Sequence, residues 1–164
     1  MPVFVPLTSS SLTAVIDDED AHLVAGRRFS LDQGYAVTSV LHPSGVLRAD
    51  GRRRKRATMG LHRLVMGLVP GDGIEVDHIN RDRLDCRREN LRIGSTAQNA
   101  QNKSSEGRGV SFHRASGKWE AHGQVNGVKH HLGLHLTKDI ALAAAAAWRA
   151  EHLVFSEEAL HAGV

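Results

Sequence analysis

The chain has 164 residues, of which 41% are hydrophobic and 4% aromatic, so any hydrophobic core is small and we expect two or three compact units. The formal net charge is +3 and the pI about 9.4; because the arginines and lysines are clustered, an anionic partner is favoured. Cys86 is the single cysteine, which excludes an intramolecular disulfide and a multi-cysteine zinc site, and we expect it to be a small buried residue. No window approaches eighteen apolar residues and the first six are too few for a signal peptide, so we expect a cytoplasmic protein without a membrane partner.

Residues 1–60 have the composition of a small β-rich region. Residues 3–8 and 12–16 predict two strands, and residues 34–41 predict a third before the turn signal at 43–45. Four acidic residues at 17–20 precede residues 21–26, which carry helix start and stop signals. A metal site made of the four carboxylates is the alternative, but no further ligand lies at a recognisable spacing.

A run of five adjacent cations closes this region. The run consists of Arg52, Arg53, Arg54, Lys55 and Arg56. It is either a solvated loop or a contact for the phosphates of a nucleic acid. We predict contact with the DNA backbone, because the run precedes a candidate nuclease centre.

Residues 61–102 carry the strongest chemical signal. Leu61, Leu64 and Val65 recur at helical spacing. A strand at 74–79 then delivers Asp77 and His78, a second strand begins at 90–91, and Ser95 or Thr96 can cap a helix. In this β-β-α layout, we expect Asp77, His78 and Asn99 to converge. Each residue alone is an ordinary strand-end, turn or cap residue, but the combination predicts a catalytic site.

This stretch resembles the HNH endonucleases, particularly those of phages and mobile introns, whose pattern is HRL … VDHIN … NL … T … N. The chain fills every position, with LHRL at 61–64, VDHIN at 76–80, NLR at 90–92 and TAQN at 96–99. The resemblance implies a ββα-metal nuclease unit in residues 61–103. It also implies a homing-type endonuclease that hydrolyses DNA phosphodiester bonds, in the host cell cytoplasm if the protein is phage-encoded.

The resemblance also implies roles for individual residues. Asp77 and Asn99 would bind one divalent cation, magnesium or manganese, through hard oxygen atoms. His78 would be the general base, and Asn90 would complete the catalytic set by orienting the His78 loop through hydrogen bonds. By the same comparison, Arg63 would contact a phosphate and His62 would be structural.

Residues 104–164 predict three strands followed by a helix. The strands are predicted at 108–114, 118–125 and 128–134, with an Asn-Gly hairpin turn at 126–127, and Thr137 is a helix cap. The motifs GRGV, SGKW and LG before an alanine-rich helix resemble the plant ethylene-response-factor (Apetala) DNA-binding domain. That domain packs a helix behind a three-stranded sheet whose other face enters the major groove.

Matching by position and by strand alternation assigns seven residues to the DNA side of this sheet, with Trp119 on the core side. These residues are Arg108, Ser111, His113, His122, Gln124, Lys129 and His131. Several positions that are arginine in plant members are here Ser111, His113 and Gln124, which implies weaker binding or another target sequence.

The whole chain is therefore predicted to be an α+β protein with three regions. A β-rich region at 1–60 precedes the ββα-metal nuclease unit at 61–103, and the DNA-binding domain occupies 104–164. The favoured function is a metal-dependent endonuclease on double-stranded DNA, with a monomer slightly favoured. The alternatives are a non-catalytic sequence-specific DNA-binding protein that retains an HNH fold, a histidine-rich zinc module, and a small α+β domain with ordinary surface histidines.

Overall fold

The computed structural model describes residues 1–47, 51–103, 108–156 and 158–159, except for the side chains at 43–47, 53 and 54. It is an α+β structure with small antiparallel sheets. The chain divides into two compact units, Met1–Ser95 and Thr96–Val164. The predicted domain boundaries at residues 60 and 103 stay predictions. The two compact units instead meet between Ser95 and Thr96. The predicted connector at 103–107 lies, from residue 104 on, outside the described residues.

The first unit begins with two small sheets. Strands β1 (Pro2–Pro6) and β2 (Thr13–Asp17) pair antiparallel. Strands β3 (Ser30–Asp32), β4 (Tyr35–Leu47) and β5 (Arg53–Gly60) form a three-stranded sheet with β4 in the centre. The strands predicted at 3–8, 12–16 and 34–41 are thereby confirmed.

One prediction in this region was wrong. The turn predicted at residues 43–45 lies inside β4, because a register shift between Leu41 and Val46 accommodates the extra residues without ending the pairing with β5. For the basic run, the solvated loop was the alternative to the predicted DNA contact, and it is excluded from Arg53 on, since β5 begins at Arg53 and pairs Arg56 with Leu41. Arg52, Lys55 and Arg56 are exposed, and the side chains of Arg53 and Arg54 lie outside the described part of the structure.

The acidic run forms a 3-10 turn at Asp18–Asp20, followed by helix α1 (Ala21–Val24). Its carboxylates do not cap this helix. Instead they bind Arg88, whose Nε and Nη2 donate to Asp20 at 2.9 and 2.6 Å and whose backbone N–H donates to Asp17 at 2.8 Å. Asp20 is buried, so this ion pair ties the N-terminal region to the segment that precedes Asn90.

The rest of the first unit carries the sequence motif. Helix α2 (Leu61–Val65) buries Leu61 and Val65, as its spacing predicts. Strands β6 (Glu75–His78) and β7 (Leu91–Gly94) pair antiparallel, and a 3-10 turn at Arg88–Asn90 leads into β7.

One hydrophobic core joins these parts of the first unit. It contains buried residues from the N-terminal strands and from the segment of the motif. Its members are Val5, Leu7, Ala14, Ile16, Phe29, Ala36, Leu61, Val65, Cys86 and Leu91. Residues 1–60 and the β6–β7 hairpin are therefore stabilised by the same buried apolar surface.

The second unit begins with helix α3 (Thr96–Asn99) and a 3-10 turn at Ala100–Asn102. Strands β8 (Val110–His113), β9 (Lys118–Val125) and β10 (Val128–His135) form an antiparallel sheet with β9 in the centre. Helix α4 (Lys138–His152) packs on one face of the sheet.

The predicted turn and cap of the second unit are confirmed. Asn126 and Gly127 have φ of 51° and 80°, as an Asn-Gly hairpin turn requires. Thr137 Oγ1 accepts a hydrogen bond from the Ile140 N–H at the start of α4. Gly123 lets α4 approach closely, since a Cβ atom there would overlap the Trp148 ring. No helix in the described residues is both long and apolar enough to cross a membrane.

Candidate active site

His78 is the last residue of β6 and is almost fully buried, with 4% of its surface exposed. It pairs with Leu91 on β7, and the preceding residue, Asp77, pairs with Arg92. Adjacent residues of a strand point to opposite faces. The hairpin therefore directs the His78 side chain into the first unit and Asp77 to the other face.

Asp77 forms an ion pair that the sequence does not reveal. Arg92 donates to Asp77 Oδ2 through Nε at 3.0 Å and through Nη2 at 2.8 Å, and both side chains are mostly buried. The pair joins directly opposed residues of β6 and β7, where such cross-strand charges stabilise a hairpin. Arg92 thereby orients the carboxylate that the sequence predicts as a metal ligand.

Two further aromatic rings lie against His78. The His62 ring, carried by α2, meets the His78 ring edge to face with centroids 5.0 Å apart. The Tyr35 ring, at the start of β4, lies 5.1 Å from His62 and 5.9 Å from His78. The Arg83 guanidinium lies over the Tyr35 ring, with its central carbon 4.7 Å from the ring centroid. Tyr35 is 43 positions before His78, so sequence reasoning missed it.

Burial keeps both histidines neutral near pH 7. It lowers the pKa of His62 to about 4, and the neighbouring His78 and Arg63 act in the same direction. Burial also lowers the pKa of His78, although the nearby carboxylates Asp77, Asp82 and Asp85 oppose that shift. A neutral imidazole has one nitrogen that can accept a proton.

Asn90 holds the ends of the loop that follows His78. Its Nδ2 donates to the Asp85 carbonyl at 2.7 Å, and its Oδ1 accepts from the Asn80 N–H at 2.9 Å. Its own carbonyl accepts from the Ile79 N–H at 2.8 Å. Asn90 is buried, so these bonds are shielded from water and fix the path of the chain on both sides of the loop.

Asp85 organises the inside of the same loop. Arg87 donates to its two carboxylate oxygens at 2.8 and 2.7 Å, and Asn80 Nδ2 donates to Oδ2 at 2.9 Å. The Arg87 hydrogen bonds hold the pKa of Asp85 below its usual value, against the opposing effect of burial. Asp85 therefore stays ionised and keeps the loop closed at neutral pH.

Cys86 is fully buried beneath His78, as the sequence predicts for a small filling residue. Its Sγ lies 4.0 Å from His78 Nε2 and 3.9 Å from the Arg83 carbonyl. Burial, together with the charges of Asp85 and Asp82, raises the pKa of the thiol to about 12. The sulfur is therefore a neutral thiol that packs against one side of the imidazole ring.

Arg63 is engaged within its own neighbourhood. Its guanidinium donates to the Val69 carbonyl at 3.2 Å, and also to the Ile74 carbonyl and the Asp72 carboxylate. It fixes the loop between α2 and β6 in this way. Its contact with a phosphate stays a prediction, as do the contacts predicted for the basic run.

Asn99 is the last residue of α3, which belongs to the second compact unit, whereas Asp77 and His78 belong to the first. The described residues contain no group of three or more His, Cys, Asp or Glu residues that could hold a metal ion. The predicted pair, one carboxylate and one amide, is a different kind of donor set. Its hard oxygens suit a magnesium or manganese ion that is completed by water and substrate.

The strand register of the second unit groups most of the predicted DNA-binding residues. Cross-strand partners include His122 with His131 and Gln124 with Lys129. Since α4 packs on the face that holds Ala121 and Gly123, these four side chains belong to the opposite face. Trp119 is half-buried on the side of α4, with its ring 5.3 Å from Phe112.

A carboxylate that sequence reasoning missed lies on the same face as the predicted DNA contacts. Ser111 pairs with Glu120. Glu120 Oε1 lies 3.0 Å from His131 Nδ1 and 3.9 Å from Lys129 Nζ. Two of the residues predicted to contact DNA, His131 and Lys129, therefore also interact with a carboxylate.

Residues 60–101 match the protein family described as HNH endonuclease. No curated protein and no solved structure matches the chain. The matched segment runs from α2 through the β6–β7 hairpin and α3, and it includes Asp77, His78, Asn90 and Asn99. HNH nucleases act on nucleic acids and typically use a divalent metal ion. Residues 60–101 are therefore an HNH endonuclease domain, and the protein is a nuclease, a phosphodiester hydrolase.

Proposed function

We propose that the protein is a metal-dependent endonuclease that hydrolyses phosphodiester bonds in double-stranded DNA. The observation that carries the proposal is the buried, neutral His78 at the end of β6, within the matched domain and beside the Asp77–Arg92 pair. Hydrolysis needs a group that takes a proton from water and a site that stabilises the charge on phosphorus oxygens. His78 supplies the group that takes the proton, and Asp77 belongs to the site that stabilises the charge.

His78 acts as the general base in this mechanism. Its imidazole is uncharged at neutral pH because burial lowers its pKa, so it accepts the proton of the attacking water. Cys86 packs against this ring, with Sγ 4.0 Å from Nε2. His62 and Tyr35 pack against the same ring and restrict its rotation.

Asp77 and Asn99 are the proposed ligands of one magnesium or manganese ion. When bound, that cation would stabilise negative charge on the phosphate and on the leaving 3′ oxygen. Arg92 binds Oδ2 of Asp77 with two hydrogen bonds, which fixes the carboxylate in one orientation. A preoriented ligand loses less side-chain entropy when it binds a cation.

Asn90 is proposed as a positioning residue. It acts through the loop between β6 and β7, since its hydrogen bonds go to Asp85 and Asn80. This loop carries Arg81 and Arg83, both exposed. A fixed loop keeps the His78 ring and its surroundings in one geometry as substrate binds.

DNA as the substrate is supported by the distribution of charge. Arg52, Lys55 and Arg56 are exposed next to the nuclease domain, and the face of the second sheet opposite α4 carries His122, Gln124 and other predicted contacts. We propose that this sheet holds the duplex, as in the ethylene-response-factor domains that it resembles. We also propose the homing type, in which such a module tethers the catalytic unit to its target.

Cleavage of supercoiled plasmid DNA tests the metal dependence. Wild-type protein is incubated with magnesium, with manganese, and with EDTA, and the Asp77→Asn variant is compared at each condition. We expect nicking with either metal and none in EDTA. We also expect strongly reduced nicking by Asp77→Asn, because the neutral amide binds a hard cation more weakly.

Equal nicking in EDTA, or full activity of Asp77→Asn, would contradict the proposed metal site. Intact plasmid in every arm, together with retained DNA binding, would favour the non-catalytic alternative. Circular dichroism of Asp77→Asn is the control for folding, because loss of the carboxylate also leaves Arg92 without this ion pair.

A further inference from the structure

The second unit contains a cavity of about 450 Å³, within the size range of small-ligand sites. It lies between the α3 segment, residues 108–109 and the turn that joins β9 to β10, and Arg149 of α4 also lines it. Its polar side chains include Gln101, Arg108 and His122, and its apolar walls include Ala100 and Leu153. All of these residues belong to the same compact unit.

The cavity has more positive than negative charge. Arg149 is buried, with Nε donating to Glu158 at 2.7 Å and Nη1 donating to the Arg108 carbonyl at 2.9 Å. Arg108, by contrast, makes one long hydrogen bond within the described residues, from Nη2 to the Gln101 carbonyl at 3.4 Å. The Glu158 carboxylate is hydrogen-bonded to Arg149, and none of the described residues that line the cavity is acidic.

The surroundings of Arg108 penalise its charge. Burial and the neighbouring Arg149 lower the pKa of Arg108, and Glu158 only partly opposes them. An anion at Arg108 would relieve both effects, since it supplies a counter-charge and hydrogen-bond acceptors. A phosphate group matches the planar guanidinium with two parallel hydrogen bonds.

The other walls suit a flat, partly apolar group. His122 lines the cavity, and its Nδ1 is buried without a hydrogen-bond partner among the described residues. Buried polar atoms of this kind are uncommon unless a ligand or water satisfies them. Gln101 and Gln124 also line the cavity and can read polar edges, whereas Ala100 and Leu153 offer apolar contact.

We propose that this cavity binds a single nucleotide, with the phosphate at Arg108 and the base between Ala100 and Leu153. The inference deepens the proposed function, on which it rests for the class of ligand, because it adds a site for one nucleotide outside the His78 centre. The nucleotide belongs to an unpaired or flipped position of the DNA, since a paired base is not accessible to a cavity.

Calorimetric titration of the full chain in EDTA tests the cavity without cleavage. The ligands are deoxyadenosine 5′-monophosphate, deoxyadenosine, and inorganic phosphate. We expect one saturable site for the monophosphate, with at least roughly tenfold weaker binding of either fragment, because each fragment satisfies only part of the cavity. Arg108→Gln is expected to weaken monophosphate binding by roughly tenfold or more.

Two further variants sharpen the test. Arg114→Gln, an exposed arginine in the turn after β8, removes the same charge and is expected to leave binding unchanged. Ala100→Leu keeps Arg108 and fills the cavity, so it is expected to weaken binding even if Arg108→Gln fails to fold.

Three results would overturn the proposal. They are no saturable binding of the monophosphate, inorganic phosphate binding as tightly as the monophosphate, and binding that neither Arg108→Gln nor Ala100→Leu changes. Plasmid nicking with magnesium is measured on the same preparations. Nicking without nucleotide binding would refute the cavity site alone, whereas nucleotide binding without nicking would refute the nuclease proposal alone.

Discussion

Burial and charge act in opposite directions on the His78 imidazole. Three nearby carboxylates favour the protonated ring, yet the loss of water around the ring outweighs them and the pKa falls. The residues that bury the ring are Tyr35, His62 and Cys86. The protonation state that a general base needs is therefore set by packing, and packing depends on residues outside the VDHIN motif.

Replacing Asn90 with alanine tests its positioning role. The variant removes the hydrogen bonds to the Asp85 carbonyl and to the Asn80 N–H inside a buried site. We expect the free energy of unfolding to fall by about 1–3 kcal/mol, with slower nicking at unchanged metal requirement. Chemical denaturation and plasmid cleavage measure the two effects.

Asn90→Asp is the matched variant, since it keeps the size and the acceptor but loses the donor to Asp85. Because it puts a buried carboxylate against the Asp85 carbonyl, it should be no more stable than Asn90→Ala. Wild-type nicking by a well-folded Asn90→Ala would show that the loop does not need these bonds.

The lowered pKa of His62 makes the free energy of unfolding depend on pH. Its pKa is about 4 in the folded protein, against 6.5 for the free side chain, so between these values the unfolded chain binds more protons than the folded one. The stabilising contribution is complete above pH 6.5 and is lost as pH falls toward 4. The loss is at most about 3 kcal/mol.

Denaturant titrations at about pH 7.5, 6.0 and 5.0 measure this effect. His62→Phe keeps an aromatic ring without a titratable group and should show a shallower decline over the same window. An equally steep decline in His62→Phe would exclude His62 as its cause.

The roles of single residues were only partly visible in the sequence. Asp77, His78 and Asn90 stand out because they occupy a recognisable motif. Arg92 is also inside the matched segment, but only the β6–β7 register shows that it faces Asp77. Tyr35 could not be found at all, since its proximity to His78 arises from the packing of β4 against α2 and has no local signal.

Among the elements, the sheet of the second unit carries the clearest electrostatic conflict. Glu120 lies on the face predicted to meet DNA, where it pairs with His131 and Lys129. The hydrogen bond from His131 holds the pKa of Glu120 below its usual value, with Lys129 acting in the same direction. The carboxylate is therefore charged at neutral pH and repels phosphate.

Glu120→Gln is expected to tighten DNA binding, because the face gains one net positive charge and frees Lys129 for a phosphate. The salt dependence of the dissociation constant should become steeper, by about one released counterion. Fluorescence anisotropy with a labelled duplex at several salt concentrations measures both. Glu151→Gln makes the same charge change on α4 and should have a much smaller effect. Equal effects of the two variants would argue against the sheet as the DNA-binding face.

Element prediction succeeded where local chemistry decides the structure. In the second unit, Asn126-Gly127 determines the hairpin turn and Thr137 determines the start of α4, so strands and helix follow from the sequence. In the β4–β5 hairpin, the Pro-Ser-Gly signal at 43–45 was overridden by pairing along the whole strand. A bulge absorbed the local preference there, and a sequence window cannot show that.

At the scale of the whole molecule, the N-terminal region and the nuclease motif share one core. Phe29 and Ile16 from the first sixty residues are buried together with Leu61, Cys86 and Leu91. The sequence suggested separate regions because no motif links them. Long-range packing joins them instead, and the ion pair of Asp20 with Arg88 adds a polar connection.

Phe29→Ala tests this shared core. Phe29 is 1% exposed, so its truncation should cost about 3–5 kcal/mol of unfolding free energy and reduce nicking through loss of folded nuclease domain. Phe4→Ala removes the same atoms at a site that is 63% exposed and should change little. Thermal unfolding and plasmid cleavage provide the comparison. Retained stability in Phe29→Ala would mean that the motif folds without the N-terminal region.

The role of His78 as general base is the central claim, and the cleavage rate of His78→Ala tests it most directly. Supercoiled plasmid is incubated with magnesium and saturating protein, and His22→Ala, an exposed histidine of α1, is the control. We predict a loss of about 10²- to 10⁴-fold in the nicking rate of His78→Ala, with DNA binding retained and His22→Ala at the wild-type rate. Nicking by folded His78→Ala at the wild-type rate would contradict the account.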